Sequence, residues 1–114
     1  MTLEELLGQL KQSPLTVEFE DVMSVIRECY DYVATEFQNG NETNPAGSNE
    51  GSCKIFAFGK LHGLSEEQTL ACFGGYYRDD VLMNPEGSDH GNIRNFMSTG
   101  WLGIHFGGEV LAEL

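Results

Sequence analysis

Apolar positions along this chain recur at two spacings, one helical and one alternating, and each predicts a different element. Leu3, Leu6, Leu7 and Leu10 follow Thr2-Leu3-Glu4-Glu5, which has the form of a capping box. That pattern predicts an amphipathic helix over residues 2 to 12, ended by Ser13-Pro14. A second helical stripe starts near Phe19 with Val22, Val25, Ile26 and Cys29, and Glu18, Glu20 and Asp21 crowd its start, where the dipole favours negative charge. Cys29 reads as a small core residue. From Tyr30 the residues turn to strand formers, Tyr32, Val33, Thr35 and Phe37, with loose alternation. An extended segment over about 31 to 38 is expected; a helix continuing through Val33 and Phe37 is the competing reading.

Asn39-Gly40-Asn41 predicts a turn, and a loop rich in Gly, Asn and Ser runs on to Ser52. The apolar run Ile55 to Leu61 then fits a short helix stopping at His62-Gly63 better than a strand with a central glycine. Ser65-Glu66-Glu67-Gln68 is a second capping box, opening a helix with Leu70, Phe73 and Tyr77 inward and Cys72 one position off the stripe, packed or half exposed. Asn84-Pro85-Glu86-Gly87 matches a type I turn. Ser88 or Asp89 is then expected to cap a helix whose Ile93, Phe96 and Met97 face the core, ending at Gly100. Residues 101 to 106 alternate like a strand, able to pair with 31 to 38, and Val110-Leu111 closes the core after Gly107-Gly108. The fold class expected is α+β: a mainly helical single domain, 1–114, of about five helices with a short antiparallel ribbon.

Composition narrows the function classes. Six Lys and Arg stand against 18 Asp and Glu, a formal charge of −12, so the surface repels nucleic-acid phosphates and anionic membranes. No window approaches the roughly 18 uninterrupted apolar residues of a membrane span. Cys29, Cys53 and Cys72 are far apart and form no C-x-x-C pair, which points to a reducing compartment. The start carries no basic residue followed by an apolar run, so a soluble, cytoplasmic protein is expected.

Three polar clusters could carry chemistry: Asn44 to Lys54, Tyr76 to Asp80, and Asp89 to Asn95. If the apolar half of the 44–59 stretch is a helix, Cys53 lies in its first turn, where free N–H groups stabilise a thiolate. With His90 as base and Asp89, Asn92 or Asn95 orienting the ring, it would form a Cys-His nucleophilic site; the competing reading is a buried cap residue. A binding surface would draw on Asn49, Ser52, Lys54, Tyr77, Arg78, Asn92, Arg94 and Asn95. Arg78 reads as a surface salt bridge to Asp79 or Asp80, or else, like Arg94, as a pocket arginine holding a carboxylate, Asp89 within the fold or one on a ligand. His62 reads as a helix-end cation and His105 as a packed or surface side chain. No His, Asp or Cys set has a metal-ligand spacing, and no metal or cofactor is expected.

Several runs together resemble the HopJ type III effector family: Phe37-Gln38-Asn39-Gly40, Asn49 to Phe58, Leu64 to Leu70, Tyr76 to Leu82, Asn84-Pro85-Glu86-Gly87, Asp89 to Met97, and Gly100-Trp101. The resemblance spans nearly the whole chain. It implies a small bacterial protein of a family named for an effector delivered into plant cells, with no established reaction and hence no catalytic residue to transfer. A host or bacterial protein or a small molecule would be the partner. Delivery through a type III system is one expectation; a bacterial cytoplasmic role is the other, because a capped helix begins at Thr2 where such signals are usually polar and poorly folded.

Overall fold

Two helices begin where their capping boxes place them. Thr2 Oγ1 accepts from the Glu5 amide at 3.1 Å while the Thr2 amide donates to the Glu5 carboxylate at 2.8 Å. Ser65 and Gln68 exchange the same two bonds, each 3.0 Å. In the computed structural model, which describes residues 1–114, these start α1 (Leu3–Gln12) and α4 (Glu66–Ala71). The other helices are α2 (Phe19–Cys29), α3 (Glu50–Leu61) and α5 (Gly91–Thr99). Short 3₁₀ turns cover Pro14–Thr16 and Gly100–Gly103. The five expected α-helices are present.

Five three-residue strands form two antiparallel sheets. β1 (Tyr30–Tyr32) pairs with β5 (Leu111–Glu113), Tyr30 facing Glu113. β2 (Phe37–Asn39) lies between β3 (Glu42–Asn44) and β4 (Ile104–Phe106), with Phe37 facing Asn44 on one side and Phe106 on the other. The expected segment at 31 to 38 is therefore two strands in two sheets. Thr35 breaks it by donating its hydroxyl to the Val33 carbonyl at 2.7 Å, a local bond that competes with a ladder. Its pairing with the 101–106 stretch does form, but only through β4, because Trp101 to Gly103 coil as 3₁₀. β3 lies in what reads from the sequence as loop.

α3 runs through the middle. Cys53, Ile55, Phe56, Ala57, Phe58 and Gly59 are buried in succession, as on a helix covered nearly all round. It begins five residues before Ile55, at Glu50. Phe56, fully enclosed, has ring centroids of Phe96, Phe73 and Phe37 at 4.9, 5.6 and 6.0 Å, at the centre of one core of 23 buried residues. Met97 does not join that core: it is 46% exposed, one position beyond Phe96 on the outer face of α5. Cys72 is fully buried, which pushes its thiol up to about 12.

The helix expected from Ser65 to Tyr77 stops at Ala71, because Gly74 adopts φ +59 and a Cβ there would lie 2.7 Å from the Phe19 amide. The chain resumes as a wide helical turn over Tyr76–Val81, closed by a Leu82 amide bond to the Tyr77 carbonyl five residues back. Gly51 serves the same packing from the other side, since a Cβ there would meet the Phe19 ring at 3.1 Å. Phe19 is thus seated between the start of α3 and the turn after α4. That seating shapes the cleft described next.

Candidate functional site

α3 and α5 start differently from α1 and α4. Their N-cap residues, Asn49 and His90, both stand at φ 52 in the left-handed region, and neither side chain caps its own helix. Asn and His are among the few non-glycine residues that adopt this conformation with any frequency. His90 takes the cap position expected for Ser88 or Asp89.

Beneath these two starts lies a net of buried amides. The Asn92 carbonyl oxygen accepts from Asn39 Nδ2 at 3.0 Å and Asn44 Nδ2 at 3.2 Å, and Asn92 Nδ2 donates to Asn44 Oδ1 at 3.0 Å. Asn39 Nδ2 also donates to the Asn92 backbone carbonyl at 2.8 Å, and Asn49 Nδ2 donates to Asn44 Oδ1 at 2.7 Å. The net ties β2, β3, α3 and α5 into one frame. Asn39 was read from the sequence only as part of a turn and Asn44 only as the start of a polar cluster, neither as a binding residue, yet they are 0% and 1% exposed. Alternation around the Gly40-Asn41 turn is the signal: Phe37, Asn39 and Asn44 share the inward face.

Between the two helix starts opens a cleft of about 470 Å³. Its apolar walls are Phe19, Phe73, Tyr76 and Ile93, and its polar rim is Asn49, Ser52 and Asn92 with His90. Phe19 and Tyr76 meet edge to face at 5.1 Å, and the Tyr76 and His90 rings lie 5.3 Å apart. His90 Nε2 donates to Asp80 Oδ2 at 2.9 Å, with Asp89 Oδ2 at 3.8 Å. Of the residues expected to bind or react, the cleft gathers Asn49, Ser52, His90 and Asn92.

The others lie elsewhere. Cys53 is 1% exposed and does not line the cleft; its sulfur faces the Thr35 carbonyl at 3.7 Å, and burial pushes its thiol above the ordinary value. Because α3 starts early, the Cys53 amide is already bonded to the Asn49 carbonyl at 3.0 Å, so the free-amide environment expected there is absent. The expected Cys53–His90 pair is not formed: no hydrogen bond joins them, and His90 is engaged by Asp80. Lys54 Nζ sits 4.7 Å over the Tyr32 ring, whose hydroxyl donates to Glu50 at 3.1 Å. Tyr77 packs half-buried on the core, its phenol pKa raised by desolvation.

Arg78 reaches neither Asp79 nor Asp80. Its Nη1 donates to the Val17 carbonyl at 2.6 Å and its Nη2 meets Glu18 at 3.3 Å, pinning the approach to α2. Arg94 holds Asp89 as anticipated, Nη2 to Oδ1 at 2.7 Å, and also donates to the backbone carbonyls of Asp89 and Asn84. The Arg94 hydrogen bond holds the Asp89 carboxyl below its usual range. Asn95 donates to the Asn39 carbonyl at 3.3 Å and to Glu42 at 3.1 Å. The structure does not favour His62 as a helix-end cation: burial lowers its pKa, and its Nε2 is hydrogen-bonded to the Tyr30 hydroxyl at 2.6 Å. His105 is exposed on β4. No three His, Cys, Asp or Glu side chains cluster to hold a metal ion, and no helix is long and apolar enough to cross a membrane.

The family model for the HopJ type III effector protein matches residues 3–111, and the chain belongs to that family. The crystal structure of VPA0580, a protein of unknown function, is 54% identical to it and superposes with a TM-score of 0.98, covering 100% of this chain and 95% of that one. No curated protein matches.

Proposed function

We propose that this HopJ family member is a non-catalytic binding domain whose ligand enters the cleft between the starts of α3 and α5. The observation that carries the reading is how the cleft's polar groups are used. Asn49 and Asn92 are spent on the amide net, and His90 bonds the Asp80 carboxylate but no hydroxyl or thiol that it could activate, so the polar groups build a rim without a nucleophile–base pair. The thiol that could have served as nucleophile lies on the buried side of α3 against the Thr35 carbonyl, where desolvation raises its pKa and so disfavours the thiolate. What remains open is a concave aromatic surface with Ser52 on its edge, the form of a recognition pocket for a small flat ligand or a partner side chain.

An ¹⁵N-labelled sample of the full chain tests this in two arms. Titration with benzoate is expected to give saturable shifts at the Gly51, Ser52, Gly91 and Asn92 amides. Iodoacetamide at pH 7 is expected to modify half-buried Cys29 first, leaving Cys53 and Cys72 until the protein unfolds. Shifts absent from those amides would remove the cleft as the binding site. Alkylation of Cys53 ahead of Cys29 would reinstate the thiol enzyme.

A further inference from the structure

The cleft does not end at its aromatic wall. Phe19 and Tyr76, which meet edge to face there, also line a neighbouring recess of about 330 Å³ whose charged side chains are Glu18, Glu20, Asp79 and Asp80. Phe19 is half-buried and Tyr76 close to half exposed on this shared edge. Carboxylates alone would be no more than a solvated acidic face. Here they border an aromatic cavity of a size that takes a small molecule.

The charge around the two cavities is one-sided. The basic side chains nearby are spent within the fold, Arg78 on Glu18 at 3.3 Å and His90 on Asp80 at 2.9 Å, whereas Glu20 and Asp79 take part in no ion pair. The starts of α3 and α5 would ordinarily draw an anion into the cleft. Each already has a carboxylate of its own. Glu50 is the first residue of α3, and Glu42 lies so close to Gly91, the first of α5, that a Cβ there would be 3.2 Å from its Oε2. With both dipoles answered from within, the field left over is negative, in keeping with a formal charge of −12. Taking the cleft as the binding site, we propose that its ligand is a planar organic cation, an amidinium or guanidinium, whose flat body lies against Phe19 and Tyr76 and whose charge faces Asp79 and Glu20. Rings and acids attract such a group together, the rings through their quadrupole and the carboxylates through the paired hydrogen bonds that a planar cation donates.

Three probes of one shape and different charge test this: benzamidine, benzamide and benzoate, each titrated into the ¹⁵N-labelled full chain. All three are expected to shift the Gly51, Ser52 and Gly91 amides, and benzamidine alone those of Gly75, Tyr76 and Asp79 as well. Benzamidine is expected to bind about tenfold tighter than benzamide, with benzoate weakest, as two screened carboxylates and a ring face would give. The double variant Glu20→Gln, Asp79→Asn alters only exposed side chains and is expected to remove that advantage while leaving benzamide binding unchanged. Acetyl-arginine amide carries a like cation on a flexible stem, and its order against benzamidine tells whether the cation is a free flat molecule or the side chain of a partner. Benzamide or benzoate binding as tightly as benzamidine at the cleft amides would overturn the cation and keep the cleft. Benzamidine shifts scattered over the acidic surface, or an affinity unchanged in the double variant, would overturn it too. No shift at Gly51, Ser52 or Gly91 with any probe would remove the cleft itself, and the proposal with it.

Discussion

The two pairs of helix starts differ in what their side chains serve. At α1 and α4 the cap side chain satisfies its own helix, and nothing but solvent or packing lies beyond. At α3 and α5 the cap side chains turn away, Asn49 to Asn44 and His90 to Asp80, and the backbone enters the helix from the left-handed region. A local motif has been exchanged for tertiary bonds that hold two helices at a fixed separation, and the cleft occupies the gap. Helix ends that forgo local capping are where this protein keeps its candidate site.

The largest effect is expected at the amide net that replaces those caps. Asn92→Ala removes one acceptor and one donor from a site 6% exposed and leaves Asn39, Asn44 and their neighbours short of partners. A loss of about 2–4 kcal/mol is expected, since buried polar groups left unpaired bear their full desolvation cost. Urea unfolding checks it, as a lower midpoint at unchanged slope. A loss below about 0.5 kcal/mol, the range of ordinary surface changes, would mean that the net is incidental.

Substitution at the caps themselves separates the two kinds of start. Ser65→Ala deletes half of a capping box and is expected to cost about 1 kcal/mol. His90→Gly loses a partly exposed bond to Asp80, worth about 0–1 kcal/mol, and relieves a left-handed residue of a cost of about 1 kcal/mol or more. The two contributions oppose each other, so stability should stay level or rise. If His90→Gly destabilises more than Ser65→Ala in the same urea experiment, the left-handed start is held by the His90 side chain and the contrast is wrong.

Legibility followed the same division. Thr2 with Glu5 and Ser65 with Gln68 signal themselves within four residues, and the stripes of α1 and α2 need only helical period. Family membership was legible as well, because runs spread along the whole chain agreed in order. The start of α3 was not: no capping box marks Asn49, whose role depends on Asn44 at the end of β3 and, through it, on Asn92 in α5, 43 positions later in the sequence. Cys53 misled for the same reason. Its place near a helix start was nearly right, but whether a thiol is activated depends on what covers it, and Thr35 with the surrounding core closes it off. Met97 was misread because it sits beside the apolar stripe of α5, and only the neighbouring turn decides which edge of that stripe is covered.

The far end of α3 offers the smallest and most specific test. Its C-terminal cap is His62, half-buried and hydrogen-bonded to the Tyr30 hydroxyl, with burial as the first cause of its lowered pKa. An unfolded histidine titrates near about 6.5, so below that pH the unfolded chain binds more protons than the native one. The contribution of this group is therefore complete above about 6.5 and declines as pH falls toward the native value. Asp89, lowered by Arg94, loses its contribution only in the carboxylate range, roughly below pH 4, which keeps the two windows apart. His62→Gln can still face the Tyr30 hydroxyl but cannot take up that proton. Its unfolding free energy between pH 7.5 and 5 should fall less steeply than that of the parent chain. Parallel profiles would show that His62 gains its proton equally in both states, and that the cap at this end of α3 is as indifferent to pH as the capping boxes of α1 and α4 are expected to be over the same range.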